Sequence, residues 1–92
     1  MKKDNKFIIE SIKMDLFRVV TAAGDLTKEL PIESIRIFLE HADKDFEKAA
    51  LTDQQKALRE YLKVLNSSLE KVSDPTSRLH WAENVLTTRC RL

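Results

Sequence analysis

The chain is poor in the residues that bend or cross-link a polypeptide. Its 92 residues include one glycine (Gly24), two prolines (Pro31 and Pro75) and one cysteine (Cys90). So little turn chemistry excludes an all-β fold and a flexible linker. A lone cysteine excludes an intramolecular disulfide and asks for no oxidising compartment, so the expected location is cytoplasmic. Long apolar runs are also missing. None approaches the ~20 residues needed to span a bilayer. Met1-Lys2-Lys3 looks like the basic start of a signal peptide, but Asp4, Glu10, Lys13 and Asp15 interrupt any apolar stretch behind it. Neither a membrane span nor export is expected.

Charge of one sign is lacking too. Sixteen Lys and Arg face 15 Asp and Glu, a net charge of +1 that excludes a strongly basic nucleic-acid arm and an acidic tail. The charge is uneven along the chain: residues 25–53 carry 4 basic and 8 acidic side chains. No nucleotide, metal or catalytic motif stands out. What remains is 42% hydrophobic residues against 34% charged ones, enough to bury a core and too many for disorder.

Those hydrophobic residues repeat with a helical period in four segments. Ile9, Ile12, Leu16, Val19 and Ala23 are spaced 3, 4, 3, 4, and Gly24 follows as the expected left-handed stop, giving a helix over about 5–23. Pro31 fits a first helical position, and Ile32, Ile35, Leu39, Ala42, Phe46 and Ala49 predict a helix over 31–50. Thr52-Asp53-Gln54-Gln55 reads as a capping box, and Leu58, Leu62, Leu65, Leu69 and Val72 predict a helix over 53–72. Asp74 as cap and Pro75 as first residue open a fourth helix over 75–90, whose inward stripe is read as Leu79, Ala82, Leu86 and Cys90. Three stripes keep a period near 3.5 residues and the connections are short. The fold class is therefore all-α, a single domain over 1–92 built as an antiparallel up-down four-helix bundle. Leu62 and Leu65 are expected among its most buried residues.

Functional expectations come from residues off these stripes. Trp81, Val85 and Leu92 lie more than 100° from the Leu79–Leu86 face, and Phe17 and Ile37 lie off their own seams. Ile8, Val20, Phe38 and Tyr61 read instead as the flank of a wide core stripe. An apolar strip rimmed by charge marks a contact surface. Trp81, Val85 and Leu92, with Arg78 and Arg89 as a basic rim and Phe17 and Ile37 beside them, are the candidate interface for a homodimer or another protein. No nucleic acid, membrane, metal or cofactor is expected, and no catalytic residue is assigned.

The competing readings rest on few residues. Glu40-His41-Ala42-Asp43-Lys44-Asp45, with its histidine followed by lysine three residues later, resembles a histidine-phosphotransfer domain over two residues. That family places a small residue one turn after the histidine; here Asp45 stands there, and its carboxylate would repel a phosphoryl group. His41 is expected to face solvent and pair with Asp45 at i,i+4. As metal ligands, His41 and Asp45 make half a set, because the remaining soft ligands, His80 and Cys90, both fall on the fourth helix. Cys90, between Arg89 and Arg91, reads as a small core hydrophobe. Arg78, His80, Arg89 and Arg91 form a modestly basic last helix, the basis of a weak nucleic-acid alternative. The length, the four-helix plan and the Met1-Lys2-Lys3 start also resemble bacteriocin immunity proteins of Gram-positive bacteria, without a residue motif shared along the chain. That resemblance implies an immunity role.

Overall fold

A computed structural model describes residues 5–92, so the Met1-Lys2-Lys3 start lies outside the described residues. Four α-helices follow one another: α1 (Asn5–Gly24), α2 (Ile32–Lys48), α3 (Asp53–Ser68) and α4 (Pro75–Arg91), with a single 3-10 turn at Leu69–Lys71. The described residues contain no strand, and no helix among them is long and apolar enough to cross a membrane. The fold is an all-α bundle, 44 × 22 × 19 Å in extent.

Direction follows from the bonds between helices. Asn5 bonds Ala50, Ser11 bonds Asp45 and Asp15 bonds His41, so later residues of α1 meet earlier residues of α2. Across α1 and α4, Lys13 meets Arg89 and Ala23 meets Arg78. Trp81 meets Leu65, and Arg91 meets Gln54, between α3 and α4. Each of these pairs runs in opposite directions.

The α1 stripe is buried throughout, from Ile9 through Ile12, Leu16 and Val19 to Ala23. Ile35, Leu39, Ala42 and Phe46 of α2 meet it, with Ile32 and Ala49 half-buried at the ends. Leu58, Leu62, Leu65 and Leu69 line the α3 side. Leu62 and Leu65 are buried, but the fully enclosed residues include Ile12, Leu16, Ile35, Phe46, Leu69 and Val85. Of the flanking residues, Ile8 is buried, Val20 and Phe38 are half-buried, and Tyr61 is exposed.

Helix ends depart from the sequence expectation where side chains intervene. Gly24 is the last residue of α1, and no described glycine has a positive φ, so the expected left-handed stop is absent. The end of α1 is held instead by Arg78 of α4, which donates to the carbonyls of Ala23, Asp25 and Lys28. The Asp25 carboxylate also accepts from the Thr27 backbone N–H, closing a turn just after α1. Pro31 precedes α2 as its cap rather than opening it. The same helix stops at Lys48, two residues early, because the Asn5 amide clamps Ala50: it accepts from Ala50 N at 2.8 Å and donates to Ala50 O at 3.2 Å. The extended segment so fixed leads into Thr52, whose capping box with Gln55 is complete. The end of α3 tightens at Ser68, where Ser67 and Ser68 donate to the carbonyls of Val64 and Leu65 and compete with the regular helical ladder. Asp74 caps α4 through the Ser77 N–H at 2.7 Å, which lowers the Asp74 pKa.

Helix α4 is rotated relative to the sequence reading. Leu79 and Leu86 are 46% and 41% exposed and Cys90 is exposed, whereas Trp81, Val85 and Thr88 face the core. This orientation encloses the indole at 4% exposure and gives its N–H an acceptor, Leu65 O at 2.9 Å. Full burial of an indole stabilises by about 4 kcal/mol at ~25 cal/mol per Å². More than half of each leucine is still covered, so turning them fully inward would recover less than the indole would lose. Ala82 is common to both faces.

Candidate functional site

The rotation of α4 removes most of the interface expected from the sequence. Trp81 and Val85 are buried inside their own chain and Leu92 is half-buried against the same core. Arg78 is buried and committed to three backbone carbonyls. The strip they were expected to form is therefore part of the bundle, because the tryptophan gains more inside the chain than on its surface. Arg89 is also engaged: its Nε donates to Lys13 O at 3.0 Å, and its guanidinium lies 5.6 Å from the Phe17 ring centroid. Arg78 and Arg89 are thus both occupied, while His80 and Arg91 of the same helix are exposed.

Phe17 and Ile37 remain on the surface, 53% and 64% exposed. Phe17 stands on the outer face of α1, one turn from exposed Met14. The bonds from Lys13 to Arg89 and from Ala23 to Arg78 set the register of α1 against α4, which places Leu86 level with the Phe17 turn and Leu79 near the end of α1. Met14, Phe17, Leu86 and Leu79 thus border one outer face, with Arg89 between the helices. Sequence reasoning missed Leu79 and Leu86 because their spacing fits an inward stripe as well as an outward one. Beside Phe17, Arg18, Thr21, Ala22, Pro31 and Ser34 enclose an open groove of about 510 Å³ between α1 and the start of α2.

The second feature lies further along the α1–α2 seam. Ser11, Asp15, Arg18 and Ala22 recur at 4, 3, 4 on α1, and Ser34, Phe38, His41 and Asp45 recur at 4, 3, 4 on α2. The two rows face each other on the solvent side of the core stripes. Both Asp15 and Asp45 are buried, while the His41 side chain is 59% exposed. His41 was expected to pair with Asp45 of its own helix; its Nδ1 lies 2.5 Å from Asp15 Oδ2 and 3.7 Å from Asp45 Oδ2. Asp15 is the nearer partner because the seam brings α1 against the ring, whereas the i,i+4 carboxylate is held by Ser11 Oγ at 2.9 Å. Arg18 donates to the other oxygen of Asp15 at 3.3 Å and lies 5.9 Å from the Phe38 ring centroid.

Chemically, an aspartate on Nδ1 fixes the imidazole tautomer and orientation. A nucleophile–base pair is not formed, since Ser11 donates to Asp45 rather than to His41. Both carboxylates lie on the Nδ1 side of the ring, so they obstruct phosphorylation of that nitrogen and bear on Nε2 only through longer-range repulsion. A different pair ties α2 to α3: Arg59 holds Asp43 at 2.7 Å and 3.2 Å, and this bidentate contact lowers the Asp43 pKa. No protein-family model, curated protein or solved structure matches this chain.

Proposed function

We propose that the protein acts by binding another protein and carries out no chemistry of its own, with a second copy of this chain as the simplest partner. The observation that carries this reading is the outer face around Phe17. A phenylalanine, a methionine and two leucines stand exposed on three turns of one helix and its neighbour, and an arginine stacks on the ring. Helices that can bury such side chains usually do, and an apolar face rimmed by charge is the ordinary form of a protein contact. Arginine over an aromatic ring supplies both apolar area and hydrogen-bond donors at such a centre. Ile37 stands exposed on α2, apart from this face.

Light scattering over a concentration series tests this reading. Wild type should gain mass with concentration, and Phe17→Asp and Leu86→Asp should remain folded monomers, because both side chains already contact water. A wild type that stays monomeric throughout, or variants that associate as it does, would remove the self-association reading. Phosphotransfer through His41 remains the alternative of a different class; stable phosphohistidine after exposure to a small phosphodonor, lost in His41→Ala, would favour it instead.

A further inference from the structure

We propose that Asp15, His41 and Asp45 form a site for a single late first-row divalent ion, zinc in the first place, at the α1–α2 seam. Each of the three residues offers one ligand atom, and these atoms lie within 4.8 Å of one another. In a tetrahedral zinc site the ligand atoms stand roughly 3.3 Å apart, given bonds of about 2.0 Å to nitrogen and oxygen. His41 Nδ1 is 2.5 Å from Asp15 Oδ2 and 3.7 Å from Asp45 Oδ2, so the separations straddle that value. The third separation, between the two carboxylate oxygens, is no more than 4.8 Å.

The donor set selects the ion. One imidazole nitrogen and two carboxylate oxygens suit zinc and its neighbours, whereas calcium and magnesium favour six or more oxygen ligands. The exposed side of His41 leaves room for water to complete the coordination. The carboxylates are also oriented for the task. Arg18 occupies Asp15 Oδ1 and leaves Oδ2 directed at the ring, while Ser11 steadies Asp45. Outer hydrogen bonds of this kind orient metal ligands in protein sites.

Electrostatics gives the site a reason to take a cation. Two buried aspartates approach one another across a helix seam, and their cationic neighbours stand at its two ends, Arg18 at 3.3 Å from Asp15 and Lys48 at 4.0 Å from Asp45. A divalent ion placed between the carboxylates interacts with both at once and uses the imidazole lone pair that a proton would otherwise occupy. This site is independent of the protein-binding face proposed above.

Cobalt(II) is the probe, because its visible absorption reports tetrahedral nitrogen and oxygen coordination. Tag-free, metal-stripped protein should bind one cobalt with visible bands that zinc abolishes by displacement. His41→Ala, at an exposed position that leaves the fold intact, and Asp45→Asn should each weaken binding by at least about tenfold. His80→Ala and Cys90→Ser should leave it unchanged, since both lie on α4 away from the seam. Zinc should also raise the melting temperature of wild type and not that of His41→Ala. Absence of both the cobalt spectrum and the melting shift would overturn the proposal. So would binding that survives His41→Ala, or that is lost on Cys90→Ser.

Discussion

Replacing Arg78 by alanine removes a guanidinium that closes the end of α1 from a helix 50 residues away. Its Nε, Nη1 and Nη2 donate to Ala23 O at 3.2 Å, Lys28 O at 2.7 Å and Asp25 O at 2.9 Å. Hydrogen bonds from a charged donor are worth about 1.5–3 kcal/mol each, so simple addition would give well over 4 kcal/mol. Addition overstates the loss, because the three bonds share one side chain and water reaches the carbonyls of the connection once the guanidinium is gone. The last turn of α1 also loses a cation at its negative pole, and the arginine stem loses its packing. We expect Arg78→Ala to destabilise by about 3–4 kcal/mol, a large part of the 5–15 kcal/mol typical of a domain. In a protein of this size that lowers the melting temperature by about 12–30 °C. Arg78→Lys keeps the charge but cannot reach three carbonyls together, and should lose at least half as much. Urea unfolding measures both, and amide exchange should show the connection at residues 25–31 opening first. A midpoint for Arg78→Ala within about 0.5 kcal/mol of wild type would refute the reasoning, since that is the range of an ordinary surface substitution.

Gly24→Ala should stabilise the protein by about 0.4–1 kcal/mol, because the backbone there is right-handed and a methyl group would meet nothing within 4 Å; a fall in the urea midpoint would show that the left-handed stop read from the sequence exists after all. Trp81 should emit at short wavelength and be shielded from iodide, and Trp81→Ala should cost about 3–5 kcal/mol through lost transfer energy and a cavity; red-shifted, quenchable emission would contradict its burial. Acid should weaken the α4 cap: the folded pKa of Asp74 is depressed below 3.8 by the Ser77 N–H, so its contribution is present above that value and is lost as pH falls through the folded one. Asp74→Asn, which caps without titrating, should flatten the stability decline below about pH 4, and an unchanged acid profile would discount the cap.

Much of the fold was legible because it depends on local patterning. The stripes of α1, α2 and α3 each contain one helical row of large aliphatic residues, so a single face could be buried and the assignment was forced. The Thr52 and Asp74 caps were readable for a related reason, since both bonds close within three residues. Helix α4 offered two rows of comparable apolar weight, Leu79–Leu86 and Trp81–Val85, and periodicity alone could not rank them. The indole N–H was the missing signal. A buried tryptophan needs an acceptor, and Leu65 O supplies it from another helix. The acid–histidine cluster was half legible: Asp45 follows from i,i+4 spacing, but Asp15 stands 26 residues from His41 and enters only through the register of α1 against α2.

Composition and periodicity by themselves determined that the described residues form four helices and which apolar rows of the first three face the core; the burial of Asp15 and Asp45 was not among the things they gave. These properties rest on interactions spanning a few residues, where the chain has almost no freedom to choose otherwise. Tertiary structure alone decided the rotation of α4, the ending of α1 by Arg78, the clamp of Asn5 on Ala50, and the meeting of Asp15 with His41. Each of these satisfies a polar group with a partner on a distant segment. Such a partner is fixed by how the helices pack, and where the group is buried, as with the Trp81 indole and Asp15, leaving it without one costs more than a local preference can return.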